Sequence, residues 1–171
     1  MAWNPSRDRL SAAGTKRTVD KKFTIQEELV RRYFHEVLDQ GNVELVEQLF
    51  HPQCVMHRPA GTVLGIHSVR EVAERRKETF TQFETEIHDA FGSGDRLVVR
   101  LSHRGVGGGI WRSRLGSYDV TGKAVTWNAI AIFRFEQNRI IEEWVTRDEL
   151  AMILQFGVLE PAAGTRVHTC S

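Results

Sequence analysis

Glu143 has the setting in this chain that most invites chemistry. It lies in Arg139-Ile140-Ile141-Glu142-Glu143-Trp144-Val145, which reads as a strand following a longer one over 123–136. One face of the longer strand carries Val125, Trp127, Ala129, Ala131, Phe133 and Phe135, so two methyl-sized residues stand between large aromatics. A close-packed core fills such positions with Val, Ile or Leu; the alanines either receive bulk from a facing helix or leave a hollow. A hollow is the expectation, because an apolar cavity walled by aromatics is the usual form of a small-molecule pocket. Glu136-Gln137-Asn138 fits a three-residue hairpin that pairs Phe133 with Ile141, Ala131 with Glu143, and Ala129 with Val145, turning Glu143 and Val145 inward. A two-residue loop brings in Glu142 and Trp144 instead. A carboxylate in such a hollow loses solvation, its pKa rises, and it can exchange protons near neutral pH; the competing reading is an ion pair with Arg100 or Arg104.

His57 and His103 are the other catalytic candidates, since imidazole relays protons or donates to an oxyanion. Each competes with a reading as a hydrogen-bonded structural histidine. The turn Gly92-Ser93-Gly94-Asp95 does not decide whether Val99, Leu101 and His103, or Arg100 and Ser102, face inward. Trp127, Ala129, Ala131, Phe133, Val145 and Tyr33 are the candidate walls for substrate, with Arg58, Trp111 and Tyr118 at the rim. The loop carrying Trp111 and Tyr118 is long enough for a lid or for cover of a dimer surface. Gly107-Gly108-Gly109 lacks the strand-turn-helix context and following Lys-Ser/Thr of a phosphate cradle and reads as a bend in a sheet. Cys54 and Cys170 make neither a disulfide framework nor a zinc spacing, so no metal is expected.

The elements that must position these residues follow from periodicity. Thr24 with Glu27 forms a capping box, and Val30, Tyr33, Phe34, Val37 and Leu38 recur at helical spacing up to Gly41. Asn42 caps a shorter helix, and a strand is expected over Cys54–Arg58. Ser68 with Glu71 opens a third helix, whose Arg75-Arg76-Lys77 run reads as a solvated face. The pattern then alternates through 84–91, 96–104, 123–136 and 139–145, and Thr146 with Glu149 caps a last helix. Helices first and an antiparallel sheet last make an α+β domain over 23–160. A disordered basic arm (1–22) and a flexible tail (161–171) flank it.

With 171 residues, 41% hydrophobic and 26% charged, the chain fits one soluble domain. Lys plus Arg (23) balance Asp plus Glu (22), so no basic field is present to hold nucleic acid. No stretch has the length of a membrane span and no signal peptide is visible, which gives a cytoplasmic expectation.

Tyr33-Phe34-His35-Glu36-Val37-Leu38 with Gly41-Asn42, Leu49-Phe50-His51-Pro52, the strand from Trp127 to Phe135, Ile140 to Trp144, and Asp148-Glu149-Leu150 together resemble the SnoaL-like polyketide cyclase family. The resemblance covers 23–157. It implies the cystatin-like cone of the nuclear-transport-factor-2 superfamily, with three N-terminal helices, a short C-terminal helix and a strongly curved sheet around a pocket, usually in homodimers. It also implies acid/base chemistry without metal or cofactor, on an apolar polyketide- or terpenoid-like substrate of secondary metabolism. The Asp and His of the best-known cyclases fall at Val145 and Ala131, so Glu143, on the same face, is the residue expected to move the proton. A non-catalytic ligand-binding protein is the rival expectation. Epoxide hydration, using Asp148 and Arg104, is a third.

Overall fold

The apolar residues from Val30 to Leu38 wind the start of the chain into α1 (Lys21–Arg32) and a π-helical continuation (Tyr33–Asp39). The structure, a computed structural model, describes residues 21–159. The expected arm and tail therefore lie outside the described residues, except that Lys21 and Lys22 already belong to α1. The wider π turn lets Tyr33, Phe34, Val37 and Leu38 all face the core, and Gly41, at φ +75°, ends the run. A 3₁₀ turn (Val43–Leu45) and α2 (Val46–Leu49) lead into β1 (Phe50–Arg58), β2 (Gly61–Leu64) and α3 (Gly65–Thr79). The rest of the chain forms β3 (Phe80–Ser93), β4 (Arg96–Gly107), β5 (Ile110–Ser113), β6 (Gly116–Asp119), β7 (Ala124–Glu136), β8 (Arg139–Arg147) and α4 (Glu149–Gln155).

Six strands make one sheet in the order β2-β1-β8-β7-β4-β3, while β5 and β6 form a separate pair. The architecture is α+β, but the sheet is mixed rather than antiparallel. β1 lies parallel to β8, with Met56 opposite Glu143 and His57 opposite Trp144. Such a pairing between distant segments has no local turn to announce it.

The β7–β8 turn corrects the expected register in two steps. Gln137 and Asn138 both take positive φ (49° and 58°), so the loop has two residues, with Glu136 opposite Arg139. A bulge then takes up Ile141 and restores Glu143 to the inner face, opposite Phe133 instead of Ala131. Ala131 meets Val145, and Ala129 meets Arg147. On β4, the buried residues alternate as Leu97, Val99, Leu101 and His103, so His103 faces inward, while Arg100 faces out to Asp89.

Three expected caps move. Helix α1 starts before Thr24. Helix α3 starts at Gly65, so Ser68 lies inside it and donates to the Leu64 carbonyl. Asp148, rather than Thr146, caps α4 by accepting from the Ala151 amide at 2.9 Å. The glycine-rich segment does not break β4, which runs on to Gly107. A Cβ on Gly105 would meet the Phe80 ring at 2.7 Å, and one on Gly107 would run into the Val120 carbonyl, so close approach accounts for both glycines.

The main core lies between the helices and the sheet; a second cluster joins Phe80, Trp111, Val120, Val125, Trp127, Met152, Ile153 and Phe156. Among the described residues no helix is long and apolar enough to cross a membrane.

Candidate active site

Glu143 is 1% exposed, and its Oε2 accepts from an Nη of Arg58 at 2.6 Å. Arg58 stands on the inner face of β1, two residues after the buried Met56, and a second hydrogen bond, to the Tyr33 hydroxyl at 3.0 Å, fixes its position. Neither Arg100 nor Arg104 is the partner, because both are exposed and pair with acids of β3. Oε1 of Glu143 and Nε of Arg58 are buried without a hydrogen-bond partner. Burial raises the Glu143 carboxyl above its ordinary value, while Arg58 and then Arg76 pull the other way. Burial, with Glu143 adding to it, also pushes the Tyr33 phenol up to about 12, so Tyr33 stays protonated and can donate or accept.

His103 carries a tautomer that can be read from its neighbours. The Thr85 hydroxyl has one proton and gives it to Asp39 Oδ1 at 2.6 Å, so its contact with His103 Nδ1 at 2.9 Å must be one in which the ring donates. The Thr85 amide also donates to Asp39, at 3.0 Å, and holds that carboxylate in place. His103 Nε2 is then the unprotonated nitrogen, and no partner for it occurs among the described residues. Burial, followed by the charges of Arg76, Arg147 and Arg58, holds His103 well below its ordinary 6.5, so the ring is neutral at physiological pH. Donation to an oxyanion from Nε2, the role expected from the sequence, is unavailable to this tautomer.

Glu143 and His103 border one enclosed cavity of about 20 Å³, with Phe34, Leu38, Leu101, Trp127, Ala129, Ala131 and Val145 as its apolar wall. Space on that scale holds about one water. Tyr33 and Phe34 pack edge-on against Phe133, with ring centroids 6.3 and 5.9 Å apart, so bulk from the helix fills much of the room beside the alanines. The cavity is not the apolar hollow expected, because Arg58, Arg76 and Arg147 also line it.

Arg76, expected on a solvated face, and Arg147, not among the candidates, both line the cavity. Arg76 follows the buried Val69 and Ala73 at seven and three residues, the spacing of one helix face, which turns it inward from what looked like a solvated charge run. It lies over the Phe83 ring at 4.1 Å, its Nη1 is buried without a partner, and burial lowers its pKa to about 10. Arg147 follows Glu143 and Val145 at the strand period of two and is held by Glu149 at 2.8 Å.

The other candidates lie outside the cavity lining, Tyr33 among them. His57 is on the opposite face of β1 from Arg58, stacked on Trp144 at 5.2 Å and bonded to Thr62 and Glu142 at 3.1 and 3.0 Å. Trp111 and Tyr118 face each other on the β5–β6 hairpin, and Trp111 packs on Phe156 in the second core, so this segment is a strand pair rather than an open loop. Phe133 is wholly buried behind the cavity wall. Asp148 and Arg104 are not part of the lining either. Burial pushes the Cys54 thiol up to about 11, which removes it as a nucleophile at neutral pH. Outside the cavity lies an open groove of about 560 Å³, bordered by His57, Trp144, Arg114 and Glu149, and it shares Arg58, Val145 and Arg147 with the cavity as a common wall. Among the described residues no group of three or more His, Cys, Asp or Glu is placed to hold a metal ion.

Solved structures share this fold. TsrD from Streptomyces laurentii aligns with a TM-score of 0.72 at 23% identity, over 82% of this chain and 99% of its own. IdmH from Streptomyces antibioticus, a candidate polyketide cyclase, aligns at 0.65 and 20% identity, over 77% and 98%. An LEH-like epoxide hydrolase from M. tuberculosis aligns at 0.63 and 14% identity, over 80% and 92%. No curated protein shows significant similarity to the sequence. The profile of the SnoaL-like polyketide cyclases matches residues 28–156, which takes in every residue lining the cavity. The chain belongs to the SnoaL-like polyketide cyclase family.

Proposed function

We propose that the protein is a small-molecule enzyme that closes or rearranges a ring by acid/base catalysis. The observation that carries this reading is Oε1 of Glu143, a buried carboxylate oxygen without a partner, bordering the same cavity as a neutral His103 and three arginines. In this scheme Oε1 takes a proton from the carbon next to a substrate carbonyl, and the guanidinium groups of Arg58 and Arg76 stabilise the enolate oxygen. The enolate carbon then attacks a second carbonyl of the same molecule, forming the ring bond. The new alkoxide recovers the proton from Glu143, so the product is an isomer of the substrate. His103 accepts a hydrogen bond from a substrate hydroxyl through Nε2 and orients it. The apolar body of a polyketide- or terpenoid-like substrate lies in the adjoining groove against Trp144 and Val145, while its oxygen-bearing reacting end enters the cavity, where Phe34 and Trp127 exclude water.

Two other readings compete. A ligand carrier is favoured by Ala131 and Val145, which pair across β7 and β8 where the best-known cyclases carry His and Asp. Epoxide hydration loses ground, since Asp148 caps a helix and Arg104 pairs with Glu84 outside the cavity. Mass spectrometry of candidate polyketide-like β-keto esters bearing a second carbonyl, and of analogues bearing an epoxide, incubated with the protein separates the three: an isomer of unchanged mass from the keto ester, a product heavier by one water from the epoxide, or binding of either without conversion. Ring closure predicts the first, with a loss of about 10²–10⁴ in rate for Glu143→Gln; conversion unaffected by that change would reject the scheme.

A further inference from the structure

After the ion pairs around the cavity are matched, one positive charge is left over. Arg58 is matched by Glu143 at 2.6 Å and Arg147 by Glu149 at 2.8 Å. Asp39, the other carboxylate close enough to act on Arg76, is occupied by Thr85 and His35. His103 is neutral and adds a hydrogen-bond acceptor only. Arg76 has neither ion pair nor hydrogen bond among the described residues; its side chain is partly buried and borders the enclosed cavity, and its Nη1 is fully buried with no partner. A buried guanidinium N–H without an acceptor is costly, and a charge without a counter-charge in a low dielectric is costlier still. Its support is the face of Phe83, which orients the guanidinium plane but leaves its in-plane donors free.

We infer that the cavity takes a small-molecule anion, a substrate whose carboxylate or acidic enol oxygen binds the in-plane donors of Arg76. This rests on the proposed function only for the location of the site, and it adds the class of substrate. The planar fork of arginine matches the two oxygens of a carboxylate. Phe34, Leu38 and Trp127 exclude water around the pair, and the ionised partner supplies the charge that the chain itself leaves out. In the closed form the space of about 20 Å³ admits only a group the size of formate. A larger anion keeps its body in the adjoining groove of about 560 Å³ and reaches in past the shared wall of Arg58, Val145 and Arg147.

The test is equilibrium binding to the full chain, which needs no turnover. Sodium formate is titrated against sodium chloride at matched ionic strength, and benzoate against its neutral isostere benzamide, while the side-chain N–H resonances of arginine and the thermal midpoint are followed. Formate and benzoate should shift one buried arginine resonance saturably, and benzamide should bind about tenfold more weakly or worse. Arg76→Met should abolish the difference between benzoate and benzamide, and Arg76→Lys should restore part of it if the first variant merely loosens the fold. Glu143→Gln, which removes a neighbouring negative charge, should bind benzoate at least as tightly as the native chain. If that variant binds benzoate yet converts substrate normally, the catalytic scheme fails and the anion site stands. Equal affinity for benzoate and benzamide, or undiminished benzoate binding by Arg76→Met, would overturn the inference.

Discussion

Replacing Thr85 by Val tests the chain of bonds that sets the His103 tautomer. Thr85 is 3% exposed, and its hydroxyl links Asp39 to the ring. Valine removes a hydrogen bond to a carboxylate, worth about 1.5–3 kcal/mol, and strands the buried Nδ1–H, at about 1–3 kcal/mol. The added methyl returns about 1 kcal/mol of burial, and the Thr85 amide still holds Asp39. The net destabilisation is about 3 kcal/mol, a fall of about 1.5 M in the urea midpoint at a slope of about 2 kcal/mol/M. Thr85→Ser keeps the hydroxyl and should cost only about 1 kcal/mol. Nitrogen NMR of the imidazole reads the tautomer directly: the native ring should be protonated at Nδ1, and the Val variant should lose that bias. Equal costs for Val and Ser, or a native ring protonated at Nε2, would refute the reasoning.

Other consequences follow from the same geometry. His103 has a folded pKa below the unfolded 6.5, so its contribution to stability is intact above pH 6.5 and is lost as pH falls toward its folded value. Urea titrations should show a slope approaching about 1.4 kcal/mol per pH unit there, and His103→Gln should flatten it. Glu143, raised from 4.5, acts with the opposite sign: it favours folding at acid pH, and that advantage fades as pH rises through its folded value. Arg58→Met leaves Glu143 buried and unpaired and should cost about 3–5 kcal/mol in chemical denaturation, while Arg58→Met with Glu143→Leu should regain most of it. Gly107→Ala places a methyl against the Val120 carbonyl and should cost about 2 kcal/mol or more by the same assay.

The elements were legible because their periodicity is strong: the apolar spacing in 30–38 and the alternation along β4, β7 and β8 give helix and strands directly. The inward direction of Glu143 was also legible, though by a route the structure changes. The loop is one residue shorter than expected and the bulge at Ile141 makes up the difference, so the face survives while each cross-strand partner moves. The electrostatics were harder to read. Arg58 reaches Glu143 through the parallel pairing of β1 with β8, a contact between residues 85 apart in sequence. The inward turn of Arg76 was available from its phase with Val69 and Ala73, but the charge of Arg75-Arg76-Lys77 masked it. The Asp39–Thr85–His103 chain joins a π-helix to two strands, and neither the π turn nor its distant partner has a local signature.

The central claim is that a proton moves through Glu143 inside this cavity. The most direct measurement is single-turnover conversion of a β-keto ester substrate by the native chain, by Glu143→Gln and by Arg100→Ala, which removes an outward-facing side chain paired with Asp89, with folding of each variant checked by its thermal midpoint. The account predicts that the Gln variant falls by about 10²–10⁴ in rate while the Arg100 variant stays within about twofold of the native protein. A folded Glu143→Gln variant that turns over at the native rate would contradict it.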